Sequence, residues 1–238
     1  MCKEDNLKNL TCVNSSCSSA RLTGQNSLNF LNNLLISDLS SLSEKIFHFS
    51  ALCNPKGRIV STLWVRINGK ESIDLIFPKN MPSLLSYFKM RTFRQKIEIQ
   101  LIDSNIVVDN KANSIDLSSS FKCEQDYSNI DDFYVYLFNQ GLPWVDFNNT
   151  EKFIPQHVNL DRHENVMNFK KGCYPGQEII ARMKYLGKIK KRMKLLTFKN
   201  EKEASDFAQK SKPVSPIIFN KKLAKYQLQI IESLQQSD

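Results

Sequence analysis

The chain has 238 residues, 41% hydrophobic and 24% charged, with a formal net charge of +9. That length supports a sizeable core in one or two domains, and the composition excludes disordered and fibrous classes. No run approaches about 18 uninterrupted apolar residues, and the polar start "MCKEDNLKNLTCVNSSCSS" lacks a secretory apolar core, so a cytoplasmic protein without a spanning helix is expected.

In chain order, "SARLTG" (18–23 and Gly24) reads as a short strand ending in a turn. "NSLNFLNNLLISDL" places Leu28, Leu31, Leu34 and Leu35 at helical spacing, with Asn26 or Ser27 as cap. "KIFHFSALCN" reads as a strand closed by the turn "NPKG" (54–57), with Pro55 at the second turn position. "RIVSTLWVRI" and "KESIDLIF" predict a hairpin about Asn68-Gly69, the preferred two-residue turn pair. "MPSLLSYFKMRTF" predicts a helix with Pro82 in its first turn, and "KIEIQLI" a half-buried strand. "DSNIVVDNKANSIDLSSSF" offers two short strands. "DFYVYLF" (132–138), aromatic and β-branched, reads as a strand. "FIPQHVNLDRHENVMNF" reads as a long ordered loop. After Leu195 come weak strands ("LLTF", "PIIF") and a terminal helix, "KKLAKYQLQIIESL". Irregular alternation of helices with hairpins predicts an α+β fold.

The six cysteines (Cys2, Cys12, Cys17, Cys53, Cys123 and Cys173) form no CxxC pair and fit no zinc spacing, so free thiols are expected. One of them stands in "KKGCYPGQEIIAR" (170–182), which holds two of the chain's 7 glycines. Pro175-Gly176 suits the centre of a type II turn. Ile179, Ile180, Met183 and Leu186 then recur at helical spacing, and Gly187 stands where a helix would stop. Cys173 therefore lies just ahead of a helix N-terminus, beside Lys170 and Lys171, two influences that favour thiolate. His157 and His163 have no sequence-based reason to reach it and read as loop residues. Between Lys170 and Lys194, nine basic residues face the single acid Glu178, nearly the whole excess charge. An anionic partner, either a carboxylated small molecule or a nucleic acid, fits that segment; so does a solvated basic face.

The string "KKGCYPGQEIIAR" resembles the signature of the YgfZ family of folate-binding proteins, which share the fold of the glycine cleavage aminomethyltransferase (T-protein). "LTGQNSLNFLNNLLISDL", "CNPKGRIVSTLWV", "YFKMRTFRQKIEI" and "GLPWVD…FIPQHVNLD" resemble other family segments in the same order, so the likeness covers roughly 18–194. It implies a folate-binding region over 18–194 with a shortened middle subdomain at about 96–140. Outside it lie a flexible segment at 1–17 and a remnant of the C-terminal domain at 195–238, its barrel truncated or missing. Ferredoxin-like α+β subdomains would surround a central cavity.

The implied role is binding of tetrahydrofolate or a one-carbon derivative, in support of iron–sulfur cluster assembly or repair, including for enzymes that modify tRNA. Implied partners are folate and iron–sulfur client or assembly proteins, with possible weak tRNA contact. Cys173 would be the functional thiol. Lys171, Gly172, Tyr174, Gln177, Glu178 and Arg182 match the motif around it, and Phe133 matches an aromatic site, so these residues are the expected folate contacts. Two alternatives stay open. One is folate-dependent aminomethyl transfer, for which no catalytic carboxylate stands out; the other is RNA binding through the basic segment 182–194.

Overall fold

The structure, a computed structural model, describes residues 10–119 and 130–234. Its elements in chain order are β1 (Leu10–Cys12), β2 (Cys17–Thr23), α1 (Ser27–Asn32), β3 (Phe47–Cys53), β4 (Ile59–Ile67) and β5 (Ser72–Pro78). Then come α2 (Pro82–Thr92), β6 (Glu98–Leu101), β7 (Asn105–Asp109), β8 (Ser114–Ser118), α3 (Ile130–Gln140) and α4 (Gln177–Tyr185). The chain closes with β9 (Lys191–Phe198), α5 (Glu201–Lys210), β10 (Lys212–Pro213), β11 (Ile218–Asn220) and β12 (Lys225–Ser233). The fold is α+β, with three antiparallel sheets. One has the order β3-β4-β5-β2-β6 and another β1-β7-β8; in the third, β12 lies between β9 and the pair β10 and β11.

The five-stranded sheet divides two cores because its side chains alternate between faces. Leu63, Val65 and Ile67 of β4, with Ile73, Leu75 and Phe77 of β5, face the leucine-rich core that also takes Leu31, Leu35, Leu84 and Phe88. Trp64 and Ile76 face the other way, into a central core shared with Ile106 and Val108 of β7, Phe133 of α3 and Ile231 of β12. An aromatic cluster fills that centre: Phe133 lies 5.1 Å from Trp144, and Trp64 lies 5.2 Å from Trp144 and 5.0 Å from Phe49. At the sheet's end, fully buried Asp74 accepts from Arg21, Arg66 and Asn68. Burial alone would raise its pKa, but these three donors outweigh burial and hold the carboxyl below its usual value.

Several elements differ from the sequence expectation. Residues 132–138 are helical, within α3, not a strand. Phe133, Tyr136 and Leu137 are all buried at helical spacing, Asp131 and Asp132 stand in the first turn, and the centre rewards one contiguous apolar face over local β preference. Gly141, at φ 65°, ends the helix, with its N–H on Phe138 O and the Leu142 N–H on Leu137 O at 2.9 Å. The terminal "KYQLQIIES" is a strand, not a helix, because eight-residue pairing with β9 satisfies its backbone. Its buried glutamines find partners too, Gln229 donating to Leu142 O at 2.9 Å and Gln227 accepting from Asn220 at 3.2 Å. The β4–β5 connection runs through residues 68–71, longer than a two-residue turn, closed by Asn68 N–H on Ser72 O. Residues 10–17, expected to be flexible, supply β1 paired to β7 and the first residue of β2. Cys12 is disulfide-bonded rather than a free thiol, whereas Cys17 and Cys53 are free and buried. Cys2 and Cys123 lie outside the described residues. Among the described residues, no helix is long and apolar enough to cross a membrane.

Candidate functional site

The motif forms the turn that its sequence predicts. Gly176 has φ 82° and ψ 0°, the third-position geometry of a type II turn, and the Gln177 N–H reaches Tyr174 O at 3.2 Å before α4 begins. This turn packs backbone to backbone on the turn 54–57: a Cβ on Gly176 would lie 2.4 Å from Asn54 O and 2.6 Å from Gly57 Cα. The two most distinctive turns of the sequence, "NPKG" and "YPG", are thus one contact. Gly172, by contrast, has nothing within 4 Å of its would-be Cβ. One glycine serves packing; the other leaves open space beside an exposed Cys173.

The remaining motif residues separate into three settings. Lys171 turns away from solvent, and its ammonium donates to Asn32 O, Asn32 Oδ1, Leu35 O and Ser37 O, the carbonyls at and beyond the end of α1. Burial pushes its pKa down to about 8, partly countered by Asp38, so it carries charge at neutral pH. Tyr174 is buried with its hydroxyl unpartnered, and burial raises its pKa. Gln177 donates to Lys171 O at 3.3 Å. Glu178 and Arg182 pair with each other at 3.1 Å on the exposed face of α4. Phe133 has no exposed surface at all. The expected folate contacts therefore do not converge on one open pocket among the described residues.

Neither described histidine candidate pairs with Cys173. His163 contacts Gly141 O at 3.2 Å, while His157 is half-buried, its pKa lowered by burial and then by Lys191, Arg58 and Arg192. What sequence reasoning missed is a cleft of about 260 Å³ between the segment 165–170 and the end of α4. There Phe169 meets Tyr185 edge-to-face at 6.2 Å, and the Lys184 ammonium lies 3.7 Å from the Phe169 ring centre. The signal was the aromatic Phe169 just before the motif, whose partner becomes visible only once α4 folds back.

The architecture is that of the aminomethyltransferase T fold. The crystal structure of glycine cleavage system aminomethyltransferase T from Bartonella henselae superposes with a TM-score of 0.57, covering 94% of this chain and 78% of that one, at 10% identity. Sequence similarity narrows the class. The chain is 28% identical over 215 residues to the tRNA-modifying protein YgfZ of Blochmanniella pennsylvanica, covering 70% of this chain and 65% of that protein. It is 35% identical over 92 residues to the tRNA-modifying protein YgfZ of Escherichia coli, a match covering 39% of this chain and 28% of that protein. An uncharacterized protein of Haemophilus influenzae is 29% identical over 198 residues, covering 76% of this chain and 71% of its own. No family model matches the sequence. The chain thus has the T-protein fold and is similar in sequence to the YgfZ proteins.

Proposed function

We propose that this chain supports tRNA modification as a thiol-dependent factor for the assembly or repair of iron–sulfur clusters in the modifying enzymes. The observation that carries the reading is the exposed Cys173 beside an unobstructed Gly172, on a turn whose base is pinned to residues 54–57. The YgfZ relatives, named as tRNA-modifying proteins, support it. A thiol on a rigid, open turn can approach an iron site held by another protein without reorganising its own backbone. Because full ligation of a cluster normally takes about four cysteines, Cys173 acts as one ligand alongside those of the client.

Tetrahydrofolate is the cofactor that the resemblance implies, but four of the seven nominated residues do not fit it as placed. Phe133 is sealed within the aromatic cluster, Lys171 is saturated by four oxygens, and Glu178 and Arg182 neutralise each other. No step here runs through folate, and the same misfit weakens aminomethyl transfer. Two measurements test the reading. In cells lacking their own YgfZ relative, this chain should restore the iron–sulfur-dependent thiolation of tRNA, and Cys173→Ala and Cys173→Ser should not; full rescue by both variants would sink the proposal. Anaerobic titration with tetrahydrofolate, followed by Trp64 and Trp144 fluorescence and by calorimetry, decides separately whether the ligand binds.

A further inference from the structure

The basic segment is less uniform than its sequence. Lys171 is committed to four oxygens near the end of α1. Arg192 is buried and grips Asp161 at 2.5 and 2.9 Å, with Gln156 O at 2.7 Å. Arg182 pairs with Glu178, and Lys194 with Glu232. The remaining five lysines, Lys170, Lys184, Lys188, Lys190 and Lys191, make no ion pair among the described residues. Lys184 lies in the last turn of α4, Lys188, Lys190 and Lys191 follow it in the chain, and Tyr185 (63% exposed) and Leu186 (83% exposed) stand between. Beside them opens the cleft lined by Asn165, Asn168, Phe169, Lys170, Lys184 and Tyr185. Its one acid, Asp38, is already engaged by Ser40 Oγ at 2.6 Å and Asn168 Nδ2 at 3.3 Å. The Asn165 amide has no partner among the described residues.

We propose that this cleft receives an unpaired base of single-stranded RNA, with the flanking phosphates on Lys170, Lys184, Lys188 and Lys190. The proposal rests on the reading that the chain serves tRNA modification. A base would stack on the exposed face of Tyr185, which the edge-on Phe169 and the Lys184 ammonium hold in place. The Asn165 amide supplies both a donor and an acceptor for the edge of a base. A concave site with an aromatic wall suits a splayed-out base, which a loop or strand end offers and a duplex does not. Lys170 and Lys184 in its lining, with Lys188 and Lys190 just after α4 in the chain, supply the electrostatic attraction to phosphate.

The test is fluorescence anisotropy of the full chain with a labelled single-stranded RNA, read at several salt concentrations. Tyr185→Ala should weaken binding about tenfold, and Tyr185→Phe should leave it unchanged, because stacking needs the ring and not the hydroxyl. The combined variant Lys184→Gln, Lys188→Gln, Lys190→Gln should lower the salt slope by about 2, from about 0.7 per lysine on single strands. Lys221→Gln with Lys222→Gln, exposed in the β11–β12 turn, is the charge control and should change neither. Wild-type affinity in Tyr185→Ala, a triple variant indistinguishable from the control, or displacement of the RNA by tetrahydrofolate would each overturn the assignment. The rescue assay separates the two proposals. If the Cys173 variants rescue fully while the RNA results hold, the thiol reading falls and the cleft stands; if they fail to rescue while Tyr185→Ala binds normally, the reverse is true.

Discussion

Gly176 and Gly172 lie four residues apart in one motif, and the structure assigns them different fates on substitution by alanine. In Gly176→Ala the new methyl group would sit 2.4 Å from Asn54 O, 2.6 Å from Gly57 Cα and 2.7 Å from Gly57 N. All three atoms belong to backbone, so no flexible side-chain end can yield. The opposing turn is itself held: Asn54 Oδ1 accepts from Lys56 N at 2.9 Å and Arg58 N at 3.1 Å, and Gly57 N reaches Asn54 O at 2.9 Å. The left-handed conformation at φ 82° costs alanine about 1–2 kcal/mol, and forcing the two turns apart costs about 1–3 kcal/mol more. The expected loss is therefore about 2–5 kcal/mol. Urea denaturation at neutral pH measures it directly, and thermal melting should fall by about 2–4 °C per kcal/mol in a chain of this size. Gly172→Ala meets nothing within 4 Å and should stay within about 0.5 kcal/mol of the parent. Equal stability of the two variants would refute the close approach of the turns.

Lys171→Met should lose about 2–4 kcal/mol in the same assay, since it leaves the carbonyls of Asn32, Leu35 and Ser37 without their shared donor. Asp74 predicts an acid-sensitive fold. Its folded pKa is depressed, so its stabilisation is complete above its usual unfolded value of about 4 and is lost as pH falls through the folded value. Asp74→Asn should be destabilised by about 3–5 kcal/mol at neutral pH and show a shallower decline between about pH 5 and about pH 2; an unchanged decline would reject that assignment. Phe133→Ala should cost about 3–5 kcal/mol as a cavity among Trp64, Tyr136 and Trp144, and a fall in folate affinity without loss of stability would contradict its core position.

What the sequence made legible was what nearby residues determine. The Pro175-Gly176 turn, the start of α4 and helix α2 follow from local φ preference and short-range periodicity, and each is present. The misread segments are those where distant contacts decide. Residues 132–138 carry strand-forming side chains but gain more by presenting Phe133, Tyr136 and Leu137 as one helical face to the centre. The terminal strand reads as helix until β9 supplies a partner along its length. Within the motif, the pattern revealed Cys173 and its glycines, but the role of Lys171 depends on backbone oxygens far upstream, which no side-chain signature encodes.

That distinction alters the meaning of the motif itself. A lysine beside a cysteine reads as a means of activating sulfur, yet this lysine binds the motif segment to the end of α1, while Gly176 binds the following turn to residues 54–57. These two attachments, one on either side of Cys173, hold the backbone that carries it while the thiol itself stays exposed. Two of the matching residues, Lys171 and Gly176, thus position the cysteine. Apart from Lys170, the unpaired charge of the basic segment lies beyond the motif, on Lys184 and the lysines that follow α4, and Phe169 and Tyr185 frame the cleft beside Lys184. The held thiol and the basic, aromatic cleft are separate sites, so the proposed iron–sulfur role and the proposed RNA contact can be tested one without the other.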